Sequence, residues 1–227
     1  MQYKQSIKPI LRERDILNKP FTVICISRKL TFLFVLPMLI CSLFVSATEQ
    51  KPSIDVSIND TEGKWQVEAK MQTQLSAIAF IKLLDSTPQS CAWMHNCKSV
   101  ILLKKSSDNT REIQTRIDSP WPFSDRLILT KSVIEFNQNR TEVTVYVSES
   151  DLLPSAQDLE NSVLIKHPMG TWRVSLVGTQ YELSYVGSAD ADVFIPAFML
   201  KHMLLQSTTK TFENIYALSQ KPDEGPQ

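Results

Sequence analysis

The chain is poor in glycine, with five in 227 residues. Together with 12 prolines and no repeating Gly-x-y period, this excludes a collagen-like chain and glycine-rich linkers. Cysteine is scarce as well. Four residues do not build a disulfide scaffold at this length. The three histidines, His95, His167 and His202, make no catalytic set. No Gly-x-Ser-x-Gly, HExxH, P-loop or dinucleotide fingerprint occurs. Net charge is missing too: 24 Lys and Arg balance 24 Asp and Glu. Nucleic-acid binding is therefore not expected, since it usually shows a basic excess. What remains is a chain that is 43% hydrophobic, too apolar for a disordered one. Its length suits one domain plus a smaller part.

The balanced charge hides two unlike parts. Residues 1–47 hold seven bases and two acids, leaving 17 bases and 22 acids in residues 48–227. The first part ends in an uncharged run of 18 residues, Leu30 to Ala47, directly after Arg28 and Lys29. A positive end followed by an apolar segment is the pattern of a signal peptide or a signal anchor. Val45, Ser46 and Ala47 suit a cleavage site before Thr48. The run also reaches the lower limit for a membrane span, so an uncleaved anchor stays open. Both readings place residues 48–227 outside the cytoplasm, in a periplasm or another extracytoplasmic space, with residues 30–47 as the anchor if they are not cleaved.

Residues 48–64 are polar, contain Pro52 and Gly63, and read as a linker. From Trp65 to Leu75 apolar residues alternate, which predicts a strand. Ser76 offers an N-cap to a short helix that ends before Pro88. Strands are then expected at 99–105, 111–117, 125–136, 141–148, 162–167, 170–177 and 180–186. Asn137 to Arg140 and Gly178-Thr179 are hairpin turns between them. Residues 152–161 form a polar loop or short helix. Pro196 suits a first helical position. Ile195, Phe198, Met199, Met203, Leu205, Phe212, Ile215, Tyr216 and Leu218 then predict a long helix with one apolar face. Residues 220–227 read as a frayed tail. Strands run together and helices sit at the ends, so the fold class is α+β, with antiparallel strands. A long amphipathic helix after a curved sheet packs into its concave side and can leave a cavity there.

Several residue groups carry a family resemblance. Asp85 closes the first helix, and Trp93 follows in CAWMHNCKSV. Residues 119–126 (SPWPFSDR) make a proline-rich turn ending in Arg126. Trp172 precedes a strand with Tyr181 and Tyr185, and residues 192–196 (DVFIP) open the last helix. In this order they resemble the START family, lipid-transfer domains of the helix-grip fold, over residues 65–219. The resemblance implies a hydrophobic cavity that binds or transfers a lipid, with no cofactor and no chemistry. Leu127 stands where the family commonly has Asp, and no glycine accompanies Ile195 and Pro196. No counterpart of the acid and arginine that some members pair inside the tunnel is legible. The implied ligand is therefore apolar rather than headed by a charge.

Candidate ligand contacts are Trp93, Trp121, Arg126, Trp172, Tyr185, Phe198, Met199, His202 and Met203. Pro120 and Pro122 stiffen the turn at Trp121, which reads either as a rim contact for ligand or membrane or as a core corner. The Arg126 fork suits a ligand phosphate or an acid such as Asp125 or Asp85. Cys91 and Cys97 flank Trp93 and His95, and outside the cytoplasm a disulfide between them is expected. A metal site from Cys91, His95 and Cys97 lacks a fourth ligand and a zinc-like spacing. Two rivals to lipid binding are an enzyme of the same fold, with His202 or Glu182 as the acid or base, and an interaction module whose cavity is filled.

Overall fold

The computed structural model describes residues 52–61, 64–89, 91–160, 162–190 and 195–220. The expected signal or anchor segment, residues 221–227 of the expected tail and Asp192 lie outside them. The chain opens with β1 (Ile54–Thr61) and β2 (Lys64–Thr73), then α1 (Ala77–Ser86). Next come β3 (Cys97–Lys105), β4 (Thr110–Ile117), β5 (Asp125–Phe136) and β6 (Val143–Glu149). A single turn, α2 (Ala156–Leu159), leads to β7 (Ser162–Leu164), β8 (Met169–Val177) and β9 (Gln180–Asp190). The last element is α3 (Ala197–Ser219). The sheet runs β1-β2-β9-β8-β6-β5-β4-β3 and is antiparallel along this path. The α+β class and the antiparallel sheet gripping a long C-terminal helix are as expected.

Three local expectations are corrected. The stretch expected as a linker contains β1, paired antiparallel with β2 from Ile54 opposite Met71. Its alternation of Ile54, Val56 and Ile58 was masked by the polar residues between them, which an edge strand turns to solvent. The strand expected at 162–167 is only three residues and pairs in parallel with Asp125–Leu127 of β5. It fills a gap, since β6 reaches β5 only from Thr130 onward. Pro196 is the N-cap of α3 rather than its first residue. Its carbonyl accepts from the amides of Met199 and Leu200 at 2.9 and 3.0 Å.

Period-two alternation gives the sheet two working faces. Leu127 and Leu129 of β5 point away from α3, yet both are buried. Residues 150–160 form a cover on this outer face. Ser150 donates to Glu112 at 2.5 Å, and Arg116 donates to the Asp158 carbonyl and carboxylate at 3.2 and 3.3 Å. The Ser155 hydroxyl, helped by Gln114 and Arg116, holds the Asp158 carboxyl below its ordinary range against a smaller effect of burial. The cover is thus pinned to the outer face of β4 and β5 by polar contacts.

The inner face carries the core. Ala69 and Met71 of β2, Val174 of β8, Leu183 of β9, and Val143 and Val145 of β6 meet Phe80 of α1 and Phe212 and Ile215 of α3. Trp172 sits at the centre, with ring centroids 4.2 Å from Tyr185, 5.8 Å from Phe212, 5.9 Å from Phe80 and 6.1 Å from Trp93. Such pairs add about 0.5–1.5 kcal/mol each beyond their buried area. Ser76 caps α1 as expected, accepting from the Ala79 amide at 3.2 Å.

The loop between α1 and β3 ties α3 in place. Cys91 and Cys97 are joined by a disulfide with Cα atoms 6.0 Å apart. Within that loop the His95 amide donates to Thr211 at 3.1 Å, and the Asn214 side chain donates to the Trp93 carbonyl at 3.3 Å. Replacing both cysteines by alanine is expected to lower stability by about 2 kcal/mol, the entropy of closing so short a loop. Denaturant unfolding of the two forms measures this. An unchanged midpoint would show that the loop is held by Trp93 packing alone.

Candidate functional site

The core does not extend over the whole inner face. Register places side chains in rows across the sheet. One row, Val56–Ala69–Tyr185–Trp172–Val145–Ile134, is packed by α1 and the C-terminal half of α3. The next row, two residues along each strand, reads Val67–Gly187–Gly170–Val147–Ser132–Arg111. Here two adjacent strands carry glycine and a third carries serine, so the floor drops. A cavity of about 730 Å³ opens over it. That size suits a ligand of drug or acyl-chain dimensions.

The wall opposite is α3. Leu200, Met203, Leu204, Ser207 and Thr208 line the cavity at helical spacing, and Phe212 and Ile215 continue the same face into the core. The floor and sides are apolar where Val67, Val147, Ile113, Ile128, Val100 and Ile117 contribute. Thr115, Thr130 and Ser132 add hydroxyls. Asp118, Ser119, Pro120, Arg126, Pro168, Asp190 and Ile195 border one end. At the other end Arg111 of β4 pairs with Asp85 of α1, and both line the cavity. The Asp85 side chain is 59% exposed, so this ion pair stands where the cavity meets solvent.

Of the nine residues singled out from sequence, Trp93, Arg126, Trp172, Tyr185 and Met203 line the cavity. The Trp93 indole donates to Thr87 at 3.0 Å, which fixes its ring against the core. Burial pushes the Tyr185 phenol above its ordinary pKa. The Arg126 guanidinium donates to the Ser124 carbonyl at 2.5 Å, while Asp85 pairs with Arg111 and Asp125 with Lys98 and Arg116.

Four residues are placed elsewhere. Trp121 is 92% exposed on the turn closed by the Phe123 amide and Pro120 carbonyl, so it is neither a core corner nor part of the cavity wall. Phe198 is 75% exposed, His202 is exposed, and Met199 is half-buried outside the lining. The reason lies in residues 197–205 (AFMLKHMLL), whose apolar residues surround the helix and hide its phase. The inward phase is marked instead by small polar residues, Ser207 and Thr208, which face a cavity rather than a packed core. Neither His202 nor Glu182 lines the cavity. Among the described residues no group of three or more His, Cys, Asp or Glu can hold a metal ion.

Sequence reasoning missed the Asp85–Arg111 pair, the glycine floor and most of the α3 lining. Asp85 and Arg111 lie 26 residues apart and belong to a helix and a strand, so no local spacing signals them.

No family model matches the chain. An uncharacterized protein of Pseudomonas aeruginosa is 19% identical over 176 residues, which are 76% of this chain and 85% of that protein. Among solved structures, a STAR-related lipid transfer protein from Xanthomonas axonopodis superposes with a TM-score of 0.65 at 19% identity, over 76% of this chain and 100% of that one. The lipid transfer and protein localization domain of human StarD13 gives 0.61 at 10% identity, over 75% and 86%. Human StAR-related lipid transfer protein 5 gives 0.57 at 10% identity, over 77% and 88%.

Proposed function

From the START fold on which this chain is built, we propose that it binds a lipid or another hydrophobic molecule in the cavity between the sheet and α3. The observation that carries the reading is the 730 Å³ cavity, floored by the glycine row and walled by one face of α3. A palmitoyl-length tail gains about 12 kcal/mol gross on leaving water, at about 0.8 kcal/mol per CH₂. The reading needs no reacting group. The size of the cavity weighs against an interaction module with a filled interior. The placement of His202 and Glu182 removes the candidate acid and base of the enzyme reading.

The ligand is exchanged with a membrane outside the cytoplasm. The basic, apolar leader and the Cys91–Cys97 disulfide support that compartment. Trp121, beside Ser119 and Pro120 at the cavity end, offers the amphipathic ring that membrane interfaces favour. Release proceeds by tilting the N-terminal half of α3. Residues 150–160 are unsuited to gating because Ser150 and Asp158 hold them to Glu112 and Arg116 on the outer face of β4.

Native mass spectrometry of the protein from bacterial membranes and periplasm tests this. The expected spectrum contains a species heavier than the chain by the mass of one lipid. Ligand-free protein alone, together with no binding of fluorescent fatty acids, would sink the reading.

A further inference from the structure

The Tyr185 ring does not stand upright among its neighbours. It leans along β9 over Gly187, two residues further on the same face, and over Gly170, the cross-strand partner of Gly187. A Cβ on Gly187 would fall 2.0 Å from the phenol oxygen and 2.3 Å from Cζ. A Cβ on Gly170 would fall 3.4 Å from the same oxygen and 3.2 Å from the ring. The two glycines are therefore a bed for this phenol, and Trp172, 4.2 Å away between ring centroids, holds its other side. All four residues line the cavity.

Among the described residues the Tyr185 hydroxyl has no hydrogen-bond partner. The residue is half-buried and lines the cavity, and no fully buried side-chain polar atom among the described residues lacks a partner, so this hydroxyl is open to the cavity, where a ligand atom can meet it. The Asp85–Arg111 pair does not reach it. Arg111 lies three strands from Gly170 along the same row, about 14 Å at the usual strand spacing. A phenol is neutral at neutral pH, and burial raises its pKa further, so it has a proton to donate.

We propose that Tyr185 is a specificity-determining residue of the cavity, whose hydroxyl donates a hydrogen bond to the carbonyl oxygen of an ester, amide or carboxylic-acid lipid. This rests on the lipid-binding reading and sharpens it. The cavity selects oxygenated lipids over bare hydrocarbons at a fixed depth, above the Gly170–Gly187 pair. The glycines serve the selection by leaving the phenol its place.

The test uses the full chain, delipidated, with anilinonaphthalene sulfonate as a reporter. Methyl palmitate and octadecane, matched in chain length, compete for the cavity. The wild type is expected to bind the ester about tenfold more tightly than the alkane. In Tyr185→Phe the ratio falls to about one. Gly187→Ala keeps the phenol but displaces it, and loses the preference in the same way. The infrared band of an isotope-labelled ester carbonyl lies at lower wavenumber in the wild type than in Tyr185→Phe, a shift that loss of packing does not produce. An ester preference retained by Tyr185→Phe, an unshifted band, or equal binding of both probes by the wild type overturns the assignment and leaves lipid binding standing. Displacement by neither probe overturns lipid binding itself.

Discussion

Phe212→Ala is expected to lower the stability of the protein by about 3–5 kcal/mol, the usual loss for a fully buried aromatic. Phe212 has no exposed surface, stacks on Trp172 at 5.8 Å and belongs to the helix face that enters the core. Truncation leaves a void between α3 and the sheet that surrounding backbone cannot close. Phe198→Ala, on the same helix, is expected to change stability by less than about 0.5 kcal/mol, because that ring is 75% exposed. Thermal or denaturant unfolding of the two variants measures the phase of α3 directly. Equal effects would mean that the helix is rotated from the orientation described here.

Ser207→Trp is expected to weaken lipid binding by at least about tenfold while leaving the melting temperature unchanged or raised. Ser207 projects from α3 into the cavity and is only half-buried, so an indole there has space to enter. It would take up volume that the ligand needs and bury apolar surface that the serine does not. The opposite directions of the two readouts separate occlusion from unfolding. Undiminished binding with an intact fold would place the ligand somewhere other than between α3 and the sheet.

The two variants also mark the border between what was legible and what was not. The strands of the sheet show in sequence because an amphipathic strand alternates every second residue. The longest, β5, has the same bounds by pattern as in the structure, Asp125–Phe136. β1 escaped because an edge strand keeps polar residues on every second position and between turns. β7 was read too long because its pairing depends on where β6 stops, which no local pattern encodes. The disulfide was legible because both cysteines lie in one short loop, six residues apart. Trp121 was read with its core role open because tryptophan is usually buried. Here a turn between two prolines carries it into solvent.

The candidate site divides the same way. Trp93, Trp172 and Tyr185 stand out because large aromatics are few, and the structure brings all three to one cavity. Gly170 and Gly187 gave no signal, since a lone glycine in a strand has many uses. Their meaning comes from being opposite one another beneath the Tyr185 ring.

The sequence by itself determined the class of fold and the order of most of its elements, from the strand at Trp65 to the long last helix. These are properties of periodicity and composition along the chain, and each is set within about twenty residues. Tertiary structure alone decided which face of α3 turns inward, that Arg111 meets Asp85, and that a floor of small residues lies under a phenol. Each of these depends on how helices and strands pack together, which places side by side residues that are distant in the chain. A cavity is the clearest case: it is made of the side chains a row lacks, and a row exists only once the sheet has formed.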